Sequence, residues 1–104
     1  MPTTTDIVPR ARALFQRLHS ASDAERTALA DDVLLYLYDL RDHYQIAKST
    51  SPRFSGRSFS VLADVIYGLE SRPDEVMAGG DWFDLITDLL KDISLGRIVI
   101  SQIS

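Results

Sequence analysis

The sequence contains no cysteine, which excludes a disulfide framework, a thiol nucleophile and a thiolate metal site. It has only two histidines, His19 and His43, and neither belongs to an HExxH or comparable metal-binding pattern. A Walker loop, a GxSxG nucleophile elbow and a dinucleotide fingerprint are also absent from the sequence. We therefore expect no enzymatic activity, no cofactor and no metal ion.

Long apolar segments are also missing from the sequence. The longest nearly uninterrupted apolar runs, residues 33–38 and 98–100, fall far short of the roughly 20 residues that cross a membrane. Residues 1–15 lack the cationic start, continuous apolar segment and small-residue cleavage site of a secretory signal. We therefore expect a soluble, cytoplasmic protein that does not associate with membranes.

The charge of the chain is acidic, with 15 Asp and Glu residues against 11 Lys and Arg residues and a net charge of -4 at pH 7. Nucleic acids and anionic membranes attract basic surfaces, so direct binding to either is not expected. A basic protein is a better match as a partner. The length of 104 residues and the 45% hydrophobic content predict a single helical domain over residues 1–104.

Apolar residues recur at steps of three and four along most of the chain, which predicts an all-α helical bundle with four main helices. The longest is the central helix, which opens with a capping box formed by Ser22 and Glu25. A very short connection before it indicates that the first two helices are antiparallel neighbours. The predicted main helices run from about Asp6 to His19, Ser22 to Ile46, Ser58 or Ser60 to Glu70, and Asp81 to Ile93.

Three other segments are expected to differ from these helices. Residues 47–58 are rich in serine and contain a proline and a glycine, so they are expected to form a loop. Ser71 is expected to cap a short extra helix that contains residues 73–77. The C-terminal tail, residues 97–104, favours an extended conformation. It can pack against the helices of its own chain or pair with a strand of another chain.

Two helices carry aspartates opposite their apolar faces. At about 100° per residue, the central helix gathers three aspartates with a leucine and a tyrosine, and the last helix aligns four aspartates within an arc of about 80°. Trp82 and the other apolar residues of the last helix are assigned to its inner face. We expect Leu35 and Tyr38 to be exposed until a partner binds. The predicted partner-binding residues are Asp31, Leu35, Tyr38, Asp39, Asp42, Asp81, Asp84, Asp88 and Asp92.

The acidic residues are also unusual in type, because twelve are aspartate and only three are glutamate. Glutamate is the better helix former. Aspartate holds its carboxylate close to the backbone and loses less rotamer freedom on binding, which favours a rigid acidic surface. Charge that only solubilises the helices is an alternative interpretation.

A small, acidic, cysteine-free, mostly helical chain with these two acidic helix faces (residues 31–42 and 81–92) resembles bacterial immunity proteins. These include the immunity proteins of nuclease bacteriocins and of contact-dependent growth inhibition systems, and the latter are the closer match. The resemblance implies a cytoplasmic inhibitor that binds a cognate toxin, often a nuclease, and masks its basic substrate-binding cleft. The carboxylates would mimic phosphates or form salt bridges with catalytic Lys, Arg or His residues.

Two other functions stay open at this point. A non-inhibitory helical adaptor or regulatory module would use similar surfaces to bind another protein. A small carboxylate-dependent or metal-dependent enzyme would need an apolar pocket that raises the pKa of one carboxyl group above that of its neighbour. The aspartates of this chain are instead predicted to lie along exposed helix faces, which favours a binding protein.

Overall fold

The computed structural model describes residues 4–52, 54 and 60–103. These residues are mostly helical, as predicted, but the fold is not a purely α-helical bundle because two segments pair as β-strands. None of the helices in the described part of the chain is long and apolar enough to cross a membrane. The elements are α1 (Thr4–Ser20), α2 (Asp23–Ala28), α3 (Ala30–His43), β1 (Tyr44–Ser49), α4 (Ser60–Ser71), α5 (Pro73–Met77), α6 (Asp81–Ser94) and β2 (Ile98–Gln102).

The predicted central helix is divided into α2 and α3. Its start is as expected, because the Ser22 hydroxyl accepts from the Glu25 N–H at 3.4 Å and the Glu25 carboxylate accepts from the Ser22 N–H at 3.1 Å. The helix then breaks at Leu29, whose N–H bonds to the carbonyls of both Glu25 and Arg26. The break allows α2 to contact α5 while α3 contacts α1 and α4. The apolar spacing continues through the turn, so periodicity alone could not reveal it.

The end of the predicted central helix is also wrong, because residues 44–49 form β1 and not helix or loop. Tyr44 and Ile46 are buried and Gln45 is exposed, which is the period of a strand with one covered face. Tyr44 also fits the helical spacing, and this overlap explains the error. Residues 53 and 55–59 of the predicted loop lie outside the described residues.

The C-terminal tail pairs with β1 of its own chain. Strands β1 and β2 are antiparallel, with Tyr44 opposite Gln102 and Ile46 opposite Ile100, and the register is irregular between Ile46 and Lys48. Of the two predicted arrangements, packing within the chain is therefore correct. The tail reaches the helices as one strand of a sheet, because β1 provides the partner that the sequence did not reveal.

Helix α5 begins one residue later than its predicted cap implies. Arg72, and not Ser71, precedes α5, which has Pro73 in its first turn as expected. Helix α6 begins at Asp81, as predicted, with Gly80 at its N-cap. Gly79 and Gly80 have φ angles of 126° and 104°, a backbone region that glycine adopts far more readily than other residues. This glycine pair sets the direction in which α6 leaves α5.

The core draws on all helices except α2 and on both strands. Helix α6 packs against α1, and the sheet contacts α1, α3 and α6. A buried hydrogen bond from the Tyr36 hydroxyl to the Ile7 carbonyl oxygen, 2.7 Å long, joins α3 to α1. The largest fully buried side chains are Ile7, Leu18, Tyr36, Leu37, Leu40, Ile46, Leu62, Met77, Ile86, Leu89, Leu90 and Ile93.

Candidate protein-binding surface

Helix α3 does not present an open acidic patch, because α1 supplies arginines to two of its carboxylates. Arg10 lies 2.9 Å from the Asp39 carboxylate, and Arg17 lies 3.3 Å from that of Asp32. The two arginines are two turns apart on α1, as the two aspartates are on α3. The matched spacing was visible in the sequence, but only the antiparallel packing of the helices reveals its meaning. The face therefore has mixed charge.

Leu35 lies between these two ion pairs and is 60% exposed, as predicted. It borders a shallow groove of about 280 Å³ between α1 and α3, which Arg10, Arg17 and Asp32 also line. At one end of α3 Asp31 is exposed and has no ion pair with any residue that the structure describes. Leu35 thus lies between two paired carboxylates, with the unpaired Asp31 one turn away on the same helix.

The remaining predicted residues of α3 are also engaged within the chain. Tyr38 is half-buried and not freely exposed, and its hydroxyl donates to the Glu70 carboxylate of α4. This hydrogen bond raises the pKa of Tyr38. The Asp42 carboxylate accepts from the Arg41 guanidinium at 2.7 Å, which lowers the pKa of Asp42. A partner that binds α3 would have to compete with these internal contacts.

The four aspartates of α6 do not form one continuous exposed row. Asp81 and Asp84 are exposed, and Asp88 is half-buried. Asp92 is only 7% exposed, and its carboxylate lies 3.4 Å from the Arg97 guanidinium. The chain reverses direction after α6, which places Arg97 against the last turn, where its N–H also bonds to the Asp92 carbonyl at 2.9 Å. Asp92 is therefore held within the fold, and the prediction that it lies on an exposed row of aspartates is wrong.

The start of α6 combines open negative charge with exposed apolar area. A groove of about 560 Å³ is lined by Val61, Asp81, Trp82 and Leu85. Trp82, the single tryptophan of the sequence, is 41% exposed. Its position is unexpected, because the spacing assigns it to the buried face of α6. The adjacent Phe83 is buried in the core, so the covered side of this turn includes Phe83 and leaves the indole only partly covered.

The electrostatic character of this groove is acidic. Asp81 and Asp84 make no ion pair with any described residue, and the same holds for exposed Asp64, one turn after Val61 on α4. The nearby Arg72 is already paired with Glu75 at 3.7 Å. Acidic residues in a first turn are also stabilised by the helix dipole, so these positions suit the fold as well as a partner. We call Val61, Asp64, Asp81, Trp82, Asp84 and Leu85 the α6 surface.

Among the residues that the structure describes, no three His, Asp or Glu side chains lie close enough together to hold a metal ion. Comparisons with protein-family models, with curated proteins and with solved structures found no match for this chain. The chemistry of the α6 surface must therefore be inferred from its own residues. They offer a partner an aromatic face, apolar walls and open carboxylates, a combination suited to a basic protein.

Proposed function

We propose that this protein binds a basic protein partner through the α6 surface and acts as an immunity protein of the contact-dependent growth inhibition type. In this proposal it works in the cytoplasm and neutralises a cognate toxin, a nuclease, by covering the toxin's basic cleft. The observation that carries the proposal is the exposed Trp82 beside the open carboxylates of Asp81 and Asp84.

The state of the carboxylates favours α6 over α3 as the principal contact. A partner's arginine that approaches Asp39 or Asp32 must displace an arginine of α1 at 2.9 or 3.3 Å. Exchange of one ion pair for another yields little net free energy, because exposed pairs contribute only about 0–1 kcal/mol. Asp81 and Asp84 present no such competitor among the described residues, so their charge is available for attraction.

The remaining features of the α6 surface suit a protein interface. Tryptophan is among the residues that most often dominate binding free energy, particularly beside apolar neighbours that exclude water. Open charges around it accelerate encounter with an oppositely charged partner. Against a nuclease, carboxylates at this position would occupy the places that substrate phosphates take. Leu35, in its groove between α1 and α3, is a candidate for a secondary contact.

The binding test uses the protein encoded beside this chain as the candidate toxin. Its affinity for the wild-type protein is compared with that for Asp81→Lys and Asp84→Lys. Asp74→Lys is the matched control, because Asp74 is also exposed in the first turn of a helix and has no ion pair with a described residue. Circular dichroism confirms the folding of each variant. We expect each α6 variant to weaken binding about tenfold or more, which corresponds to about 1.4 kcal/mol.

The control separates a local contact from a general effect of net charge. Equal weakening by all three substitutions would show that only the overall charge matters, and unchanged affinity in both α6 variants would disprove the proposed surface. Activity then separates an inhibitor from an adaptor. An immunity protein abolishes nuclease activity at an equimolar ratio, whereas an adaptor binds its partner and leaves the activity intact.

A further inference from the structure

We infer that the groove at the start of α6 receives an arginine side chain of the partner, stacked on the Trp82 indole and hydrogen-bonded to Asp81. The inference rests on the proposed function, since it requires a basic partner. It goes further by naming the recognised side chain and the two residues that recognise it. The groove of about 560 Å³ is large enough for this side chain and its neighbours in a short peptide segment.

Trp82 presents part of its indole ring to an incoming side chain. A guanidinium is planar and weakly hydrated, so it stacks on aromatic faces, and tryptophan is the strongest aromatic partner for a cation. The half-buried side chains of Val61 and Leu85 line the same groove. They would cover the aliphatic stem of an arginine, which packs along apolar surface while its charged end reaches polar groups.

The protein already uses the same contact within its own fold. Arginine guanidinium groups lie 4.8–5.1 Å from the ring centres of three aromatic residues. Trp82 has no such cation over its ring among the described residues, although it is partly exposed. The three internal pairs are Arg10 with Tyr36, Arg26 with Phe83 and Arg41 with Tyr38.

The charges select a cation over other occupants. Asp81 lines the groove, Asp84 lies one turn along α6, and neither has an ion pair with a described residue. An anionic ligand would be repelled, and a second copy of this acidic chain would bring like charges together. Lysine would satisfy Asp81 as a compact, strongly hydrated charge but would gain less from the indole. Arginine satisfies both features at once.

The test uses the intrinsic fluorescence of Trp82, the single tryptophan of the chain, so the emission reports on the surroundings of this side chain. The full-length protein is titrated with a capped glycine-rich peptide that carries two arginines. Matched peptides carry lysine or citrulline, the neutral isostere of arginine. We expect a saturable change in emission, binding of the arginine peptide roughly two- to fivefold tighter than of the lysine peptide, and no saturable response to citrulline.

Two variants test the role of the carboxylate. Asp81→Asn should weaken binding of the arginine peptide severalfold, whereas Asp74→Asn, at an exposed first-turn aspartate of α5 outside the groove, should leave it unchanged. Amide chemical shifts should move in residues 61–68 and 79–88 and not along α3. Equal binding of the arginine and lysine peptides, a citrulline peptide that binds as well, or an unchanged Asp81→Asn variant would each overturn the inference.

The failure of this inference is distinguishable from failure of the proposed function. If the toxin binds and Asp84→Lys weakens it, while the arginine peptide gives no saturable signal, the proposed function stands and arginine recognition is wrong. If the arginine peptide binds at Trp82 but the toxin is neither bound nor inhibited, the groove is a cation-recognition site and the immunity function is wrong.

Discussion

Replacing Tyr36 by phenylalanine tests how α1 is held to α3. Tyr36 is fully buried, and its hydroxyl donates to the Ile7 carbonyl oxygen at 2.7 Å. The substitution removes one oxygen atom and keeps the ring, above which the Arg10 guanidinium lies at 5.1 Å. The change is therefore confined to a single hydrogen bond between residues that are distant in sequence and adjacent in the fold.

The expected magnitude follows from burial on both sides of this bond. A typical hydrogen bond contributes about 0.5–1.5 kcal/mol, and a buried group left without its partner loses more because water cannot replace it. Ile7 is fully buried. We therefore expect Tyr36→Phe to lower the free energy of unfolding by about 1–2 kcal/mol. For a domain of this size the corresponding fall in Tm is roughly 4–8 °C per kcal/mol.

The effect of pH provides a second, independent measurement. Burial raises the pKa of Tyr36 above its ordinary value. The folded protein thus keeps the Tyr36 hydroxyl protonated at a pH where a tyrosine of the unfolded chain ionises, about pH 10. The buried phenol therefore contributes its full stabilisation below that pH. The contribution is lost as the pH rises further, because ionisation then lowers the free energy of the unfolded state alone. The difference between wild type and Tyr36→Phe should therefore narrow in alkaline solution.

Urea unfolding followed by circular dichroism measures the loss of stability and its dependence on pH. It is carried out at neutral pH and at a pH above about 10. Tyr67→Phe is the control, because Tyr67 is 68% exposed on α4 and should change stability by less than about 0.5 kcal/mol. If the two variants have the same free energy of unfolding at neutral pH, the hydrogen bond between Tyr36 and Ile7 contributes nothing to stability. A difference that widens in alkaline solution would contradict the argument about pKa.

Three further outcomes are expected from local features. Asp92→Asn should reduce the free energy of unfolding by about 1 kcal/mol or less, because the guanidinium of its partner Arg97 is 55% exposed and can be hydrated once the ion pair is lost. A much larger loss in urea unfolding would show that the ion pair is stronger than its exposure indicates. Gly96→Ala should lower the free energy of unfolding by about 1 kcal/mol, as measured by thermal unfolding. The φ angle of Gly96 is 78° and no described atom lies within 4 Å of the added Cβ, so the loss comes from backbone strain alone. An unchanged Tm would exclude that strain. Ser22→Ala should raise the Glu25 pKa only partway towards its ordinary value, because it removes the hydroxyl and keeps the backbone N–H of residue 22, whose hydrogen bond lowers that pKa most. Acid should therefore destabilise the variant slightly less than the wild type; a Glu25 pKa that returns fully to its ordinary value in an NMR titration would contradict the role of the backbone N–H.

Local physical rules account for the parts of the fold that the sequence predicts well. The amphipathic spacing indicates α1, α4 and α6, and the capping box at Ser22 is present as expected. Proline and glycine likewise mark α5 and its end. Each of these features depends on residues within a few positions of one another, so the chain itself contains the necessary information.

The sheet depends on contacts that are distant in sequence. Strand β1 forms because β2 lies beside it, with Ile46 opposite Ile100. Taken alone, Tyr44 and Ile46 also fit the end of a helix. The turn at Leu29 has a similar cause, because it allows α2 and α3 to pack against different neighbours.

The candidate surface, too, could be predicted only in part from the sequence. Aspartate spacing predicts open carboxylates at Asp81 and Asp84, and both are exposed. Packing decides the remainder, because α1 brings Arg10 to Asp39 and the turn after α6 brings Arg97 to bury Asp92. The sequence by itself determines which residues carry charge and which helices carry them. Only the tertiary structure decides which charges are neutralised within the chain and that Trp82 remains partly exposed, because pairing and burial depend on the neighbours that folding supplies.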